Sequence, residues 1–121
     1  AETVHAHAHL RVLKGIGDTV SNLQAAVEGE SHEFQKMYPE FIAQAEKEGD
    51  QAALITFRGA MAVEQTHHKL YSEALNSVKA GKDLPPAPIY ICTVCGHTVV
   101  GEPPDTCPVC KADKKKFSAV A

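Results

Sequence analysis

The sequence lacks several features, and each absence narrows the class of protein it can be. It has no tryptophan, and aromatic residues make up only 6% of its 121 residues. No apolar run approaches the roughly 18 residues that a membrane-spanning helix requires, and no secretory signal is visible. The net charge of −3 gives no reason to expect binding to nucleic acid or to an anionic membrane. We therefore expect a soluble, cytoplasmic protein with a modest core.

Proline and cysteine are almost absent from the first two thirds of the chain. Residues 1–79 contain one proline, Pro39, and no cysteine, whereas the other six prolines and all four cysteines lie between residues 85 and 110. Clustered prolines disfavour helix and stiffen a linker. This change predicts a helical domain at 1–80, an extended linker at 81–88 and a small, loop-rich domain at 89–121.

Apolar periodicity and glycine stops predict three helices in the first domain. The first ends near residue 14, the second runs from residue 19 or 21 to about 48, and the third covers about 50–79. Glycines follow each predicted end, as is typical of helix C-termini.

Two local features predict how the second helix starts and where it is irregular. Ser21 and Gln24 fit a capping box at its start. Pro39 lies inside it and predicts a kink, or a bulge one turn earlier beside Glu33, because proline has no N–H group for the helical hydrogen bond.

Each of the two longer helices has a glutamate in the middle of its apolar stripe. Spacings of three and four assign Glu30 and Glu64 to the core face. A buried carboxylate is costly unless it is paired, protonated or bound to a metal ion. The stripes consist of Leu23, Val27, Phe34, Met37 and Phe41 around Glu30, and of Leu54, Phe57, Met61, Tyr71, Leu75 and Val78 around Glu64.

Both glutamates belong to motifs, Glu30-Ser-His-Glu33 and Glu64-Gln-Thr-His67, and Glu2-Thr-Val-His5 adds a third. Side chains three residues apart share a helix face, and carboxylates with imidazoles suit a pair of iron or manganese ions in a helix bundle. One such motif often arises by chance, whereas three of them favour a metal site. Periodicity leaves open which imidazole follows Glu64, His67 or His68. The remaining histidines are expected on the surface: His7, His9 and His32.

The second domain contains two Cys-x-x-Cys pairs, Cys92 with Cys95 and Cys107 with Cys110. Two facing pairs form a tetrahedral all-sulfur site for iron or zinc. Disulfides or free thiols are the less favoured alternatives, because no secretory signal is visible. Zinc would make the unit structural, and iron would make it an electron carrier.

Together these motifs resemble rubrerythrin, a family that joins a ferritin-like di-iron four-helix bundle to a rubredoxin-like domain with one iron on four cysteines. The resemblance spans nearly the whole chain and includes Met37-Tyr38-Pro39 after Glu33. It favours His67 over His68. It implies that Glu2 and Glu64 bridge two irons, that Glu30 and His67 bind one of them, that Glu33 and His5 are alternative ligands of the other, and that Tyr38 is a nearby hydrogen-bonding group.

One departure from the family concerns the start of the chain. The sequence begins inside the family's second helix and lacks the first helix with its liganding glutamate, so we expect a fragment or a contribution from another polypeptide. The family's second and third helices run parallel, which requires a link of about 30 Å. Residues 15–19 span at most about 18 Å. The sequence therefore predicts a domain-swapped homodimer with composite sites.

The resemblance implies a non-haem di-iron peroxidase that reduces hydrogen peroxide to water, with His5, Glu33 and Tyr38 as reacting or ligand-exchanging groups. The four-cysteine iron would relay electrons from an NAD(P)H-dependent reductase or a rubredoxin. Two alternatives are a ferroxidase or iron-handling protein, and a redox or zinc-binding module in which the bundle is only a scaffold.

Overall fold

The computed structural model describes residues 1–120, which form a helical region followed by a small sheet. The predicted mainly helical fold is confirmed. Within the described part of the chain, no helix is both long and apolar enough to cross a membrane. The helices are α1 (Glu2–Val12), α2 (Thr19–His32), α3 (Tyr38–Glu48) and α4 (Gln51–Lys79), and the strands are β1 (Ile89–Cys92), β2 (Thr98–Val100) and β3 (Phe117–Ala119).

The starts of α2 and α4 are fixed by aspartate caps. The Asp18 carboxylate accepts a hydrogen bond from the Ser21 backbone N–H at 2.8 Å, and Asp50 caps α4 in the same way. The predicted capping box of Ser21 and Gln24 is therefore wrong. Asp18, one residue before the first helical residue, has the extended backbone that a cap requires. Gly49 ends α3 with a φ of 72°, a left-handed conformation that suits glycine.

The predicted second helix is interrupted by a π-helical turn, Glu33–Met37, between α2 and α3. The Tyr38 N–H donates to the Glu33 carbonyl, five residues earlier. Pro39 has no N–H to continue the α-helical pattern, so the wider turn directly before it accommodates the missing bond. This confirms the irregularity predicted beside Glu33.

Both α2 and α3 pack against α4, which is the central helix of the bundle. The buried apolar residues of the helices are Ala45 on α3 and Leu54, Val63 and Leu75 on α4. The predicted stripes face this core, except that Phe41 and Tyr71 remain 44% and 40% exposed. By contrast, α1 has no buried residue.

The C-terminal sheet is antiparallel with strand order β2-β1-β3, and it lies against α4. One close approach involves Gly96, where a Cβ atom, if the residue had one, would lie 3.8 Å from a methyl group of Val63. Gly96 has a φ of 85°, which L-residues rarely adopt. The sheet is thereby placed over the same stretch of α4 that contains Glu64 and His67.

Candidate metal centres

Three potential metal ligands converge between α2 and α4. Ligand atoms of Glu30, Glu64 and His67 all lie within 4.8 Å of one another. The His67 Nδ1 is 2.8 Å from Glu64 Oε2 and 3.6 Å from Glu30 Oε1. The three side chains are only 14% to 24% exposed. One carboxylate from each helix and one imidazole therefore share a small, largely dry space.

This cluster has the electrostatics of a cation site. Burial, a hydrogen bond with Glu64, and the charges of Glu64 and Glu33 raise the pKa of Glu30 to about 8. Its second oxygen, Oε2, is buried and has no hydrogen-bond partner among residues 1–120. A bound cation would neutralise the adjacent carboxylates and coordinate that oxygen. The donor set, two carboxylates and an imidazole without sulfur, fits iron or manganese.

The structure distinguishes the two adjacent histidines. His67 turns its Nδ1 to the carboxylates, whereas the His68 ring packs edge-on against Phe34 with centroids 5.4 Å apart. The other nitrogen of His67, Nε2, lies 3.0 Å from Thr98 Oγ1 and 3.3 Å from the Gly96 carbonyl. Both of these contacts come from the C-terminal unit, and no sequence pattern indicated them.

Glu33 and Tyr38 lie beside the cluster without joining it. Glu33 is half-buried at the start of the π-helical turn. Tyr38 is half-buried, and its ring packs 6.3 Å from that of Phe57. Burial, together with the charges of Glu64, Glu33 and Glu30, raises the pKa of Tyr38, so the phenol stays protonated at neutral pH.

Glu2 and His5 lie apart from the other predicted ligands. They form a loose pair, with His5 Nδ1 3.6 Å from Glu2 Oε2. The His5 side chain is 61% exposed and the Glu2 side chain 93% exposed. One chain therefore does not bring the α1 motif to Glu30, Glu64 and His67, within the residues that the structure describes.

The four cysteines form a second cluster. Cys92 Sγ is 3.6 Å from Cys110 Sγ, and Cys95 Sγ is 3.7 Å from Cys107 Sγ. A tetrahedron with metal–sulfur bonds of about 2.3 Å has edges of about 3.8 Å, so these distances fit one four-coordinate ion. All four cysteines are free, and Cys92 and Cys107 are completely buried.

The two cysteine pairs are held in equivalent turns. The Gly96 N–H donates to the Cys92 carbonyl at 2.8 Å, and the Lys111 N–H donates to the Cys107 carbonyl at 3.0 Å. Burial alone would raise the pKa of Cys92, but hydrogen bonds from the Val94 and Cys95 N–H groups and from neighbouring thiols lower it to about 7. The hydrogen bonds thus favour the thiolate at Cys92, whereas burial raises the pKa of Cys95 and of Cys110 in the absence of a cation.

Two sequence profiles of known families match the chain. The profile described as Rubrerythrin, rubredoxin-like domain, matches residues 90–118. The profile described as Rubrerythrin matches residues 1–75, more than half of the 121 residues. The chain belongs to the rubrerythrin family. The predicted resemblance is confirmed, and so are the cofactors at the family level, a di-iron site in the bundle and a metal on the four cysteines.

Individual members of the rubrerythrin family are also similar to the chain. Rubrerythrin-2 of Clostridium acetobutylicum is 36% identical over an aligned length of 133 residues, covering 98% of this chain and 72% of that protein. Nigerythrin of Nitratidesulfovibrio vulgaris is 35% identical, covering 81% of this chain and 47% of nigerythrin. A solved structure described as the fully reduced, all-ferrous state of nigerythrin has a TM-score of 0.78 and 32% identity, over 86% of this chain and 50% of that one. The chain thus spans about half the length of nigerythrin.

Proposed function

We propose that the protein is a non-haem di-iron peroxidase that reduces hydrogen peroxide to water and receives its electrons through the four-cysteine iron. The contact between the two metal centres is the observation that supports this most directly. His67, beside the carboxylates, is hydrogen-bonded to the domain that holds the cysteines. A ferroxidase or a storage protein would have no use for a thiolate–iron unit in that place.

The bundle residues have the chemistry that this reaction needs. Reduction of hydrogen peroxide takes two electrons and two protons, and iron bound at the carboxylates supplies the redox chemistry. Glu30, Glu64 and His67 would hold that iron in a space largely closed to water. Glu33, at a helix irregularity, would be a ligand that can exchange with His5. Tyr38, protonated and half-buried, would donate a hydrogen bond beside the site.

The route for electrons is short. Cys95 directly precedes Gly96, whose carbonyl oxygen lies 3.3 Å from His67 Nε2. Only a few covalent bonds and one hydrogen bond therefore separate a sulfur ligand from an imidazole ligand. We propose that an NAD(P)H-dependent reductase or a rubredoxin reduces the four-cysteine iron. The four free thiols fit a reducing compartment such as the cytoplasm.

Stopped-flow spectroscopy on the iron-loaded, anaerobically reduced protein tests the activity. We expect hydrogen peroxide to reoxidise the four-cysteine iron, and so to restore its thiolate–iron absorption, much faster than an equal concentration of dioxygen does. Faster reoxidation by dioxygen would instead support a ferroxidase, and slow reoxidation by both would support a redox module with an inactive bundle.

We further propose that the site is completed by α1 of a second copy in a domain-swapped homodimer. Apolar side chains of α1 and the following link are exposed within residues 1–120, in particular Val4 at 66%, Val12 at 82% and Leu13 at 77%. The link itself is folded back, since the Gly15 N–H bonds the Leu10 carbonyl and the Asn22 side chain bonds the Gly17 backbone. A second copy of this chain would bury those side chains and bring Glu2 and His5 to the cluster.

Complementation between two inactive variants tests this arrangement. One variant has Glu2→Ala and His5→Ala, and the other has Glu64→Ala. In a swapped dimer, a mixed pair has one site with all its ligands and one site that lacks both sets. Random pairing should therefore restore about a quarter of the wild-type activity. If each site lies within one chain, the mixture stays inactive, and sedimentation of the active protein as a monomer would also contradict the swap.

A further inference from the structure

We infer that Thr98, a residue of the C-terminal sheet, positions the His67 imidazole for metal binding in the bundle, a role that depends on the proposed function of His67 as a ligand. Thr98 is the first residue of β2 and is 31 residues away from His67 in the sequence. Neither the metal-ligand motifs nor the family matches single it out.

The hydrogen bonds around His67 are divided between its two nitrogens. Nδ1 faces the carboxylates of Glu64 and Glu30, at 2.8 and 3.6 Å. Nε2 faces away from them, 3.0 Å from Thr98 Oγ1 and 3.3 Å from the Gly96 carbonyl oxygen. The Thr98 hydroxyl also donates to the Gly96 carbonyl, at 3.2 Å.

The partners of Nε2 keep a proton on that nitrogen, and the 2.8 Å contact between Nδ1 and Glu64 Oε2 then needs a proton or a metal ion between the two atoms. The Gly96 carbonyl can only accept a hydrogen bond, and the Thr98 hydroxyl already uses its proton on that carbonyl. Both groups therefore accept from Nε2–H. An imidazole that carries its proton on Nε2 has the lone pair of Nδ1 free for a metal ion. Acceptors on the outer nitrogen fix the orientation of a liganding imidazole and increase its basicity.

The position of Thr98 depends in turn on the cysteine site. Thr98 follows the Cys92–Cys95 turn by three residues and is paired with Ile91 of β1. The small sheet is expected to need its thiolate-bound metal in order to fold. The cysteine domain would then shape the ligand field of the carboxylate site in addition to supplying electrons.

The test compares three variants of the full chain with iron in the cysteine site. Thr98→Val removes the hydroxyl and keeps the side-chain shape, and Thr98→Ser keeps the hydroxyl. Thr93→Val is the matched control, because the Thr93 hydroxyl bonds the Lys116 carbonyl in the same domain and does not contact His67. The thiolate–iron absorption reports whether the domain is folded in each variant.

The readout is Mn²⁺ binding at the carboxylate site, followed by the electron paramagnetic resonance of free Mn²⁺, since this ion prefers oxygen and nitrogen ligands over thiolates. We expect Thr98→Val to weaken binding by about 10-fold or more, within the range known for groups that support a metal ligand. Thr98→Ser and Thr93→Val should leave it within about 2-fold of wild type, because neither loses an acceptor for Nε2–H.

A fourth variant, Glu64→Gln, distinguishes failure of the proposed role of Thr98 from failure of the proposed metal site. If Glu64→Gln abolishes Mn²⁺ binding and Thr98→Val does not weaken it, the metal site stands and the role of Thr98 is refuted. Equal weakening by Thr98→Val and Thr93→Val would also refute it, since a general loosening of the domain would then be the cause. If Glu64→Gln leaves Mn²⁺ binding unchanged, the proposed metal site itself fails.

Discussion

The Glu-x-x-His motifs of α1 and α4 have the same spacing and different surroundings. In α4 the His67 and Glu64 side chains are 24% and 17% exposed and lie 2.8 Å apart, whereas in α1 His5 and Glu2 are 61% and 93% exposed and lie 3.6 Å apart. The valines next to them differ in the same way, since Val63 is 2% exposed and Val4 66%. The spacing sets only which helix face the side chains share.

What distinguishes the α4 motif is what packs around it. The α2 helix supplies Glu30, and the C-terminal sheet supplies the acceptors for His67. Desolvation by these neighbours makes two carboxylates and an imidazole into a site that favours a cation. The α1 motif has the same residue types without those surroundings among residues 1–120, and we propose that a second copy of the chain supplies them.

The largest effect is expected from the ligand in the buried motif. Glu64→Gln removes the negative charge next to Glu30 and His67, and should lower peroxide turnover by more than about 100-fold, since loss of even a supporting group costs about 10- to 100-fold. Turnover is measured as peroxide-dependent oxidation of the reduced protein. The thiolate–iron absorption should stay unchanged, because the cysteine site does not depend on this carboxylate.

Glu73→Gln is the matched control for that change. Glu73 lies on the same helix, is 55% exposed and pairs only loosely with Lys69, at 3.9 Å. Such a surface pair contributes little, so turnover should remain within about 2-fold of wild type. Comparable losses in both variants would mean that Glu64 acts through the charge of the helix and not as a ligand.

The sequence predicts the burial of Glu30 and Glu64, because both interrupt apolar stripes, and it predicts the four-cysteine cluster from spacing alone. It also locates the irregularity before Pro39. It does not reveal Thr98, since a contact between residues 31 apart in sequence arises only when the sheet packs on α4. Nor does apolar periodicity choose His67, although the family resemblance favours it, because both histidines lie near the inner face and the choice depends on the partner that each ring meets, Thr98 or Phe34.

Val63, directly before the α4 motif, and Val4, inside the α1 motif, provide the next comparison, in stability. Val63→Ala should lower the free energy of unfolding by about 2 kcal/mol, from the lost burial of two carbon atoms and the cavity they leave. Val4→Ala should change it by less than about 0.5 kcal/mol in the monomer, because that side chain is exposed. Urea unfolding at low protein concentration measures both values.

The swap predicts a second effect of Val4→Ala. The variant dimer should dissociate into monomers at a higher protein concentration than the wild-type dimer, because the second copy is proposed to cover this residue. Sedimentation over a concentration series detects the shift. An unchanged dimer would mean that this face of α1 is not part of the interface.

The pH dependence of the metal-free protein tests the electrostatics of the buried site. The folded protein has the pKa of Glu30 raised from 4.5 to about 8, so between these values it binds a proton that the unfolded chain does not bind. This contribution is complete below pH 4.5 and is lost as the pH rises through 8. With a chelator present, the melting temperature of the helices should therefore fall between pH 5 and pH 8, by a few degrees.

Two variants isolate the contribution of Glu30 from that of other groups. Glu30→Gln cannot ionise and should flatten the decline, whereas Glu48→Gln, at an exposed position on α3, should retain it. A melting temperature that rises over this range in wild type, or a decline that persists in Glu30→Gln, would contradict the raised pKa of Glu30 as the cause of the pH dependence.

The smallest effect is expected from the exposed glutamate of α1. Glu2→Gln should change the melting temperature of the metal-free monomer by no more than about 1 °C, because an exposed pair such as Glu2 with His5 contributes about 0–1 kcal/mol at most. Mn²⁺ binding at dimer-forming concentrations should nevertheless weaken, since Glu2 is proposed to bridge the metals of the other chain. A variant that loses stability in the monomer would place Glu2 in contacts within its own chain. One that keeps both stability and Mn²⁺ affinity would leave the α1 motif without a role, and the two motifs would then differ in function as well as in surroundings.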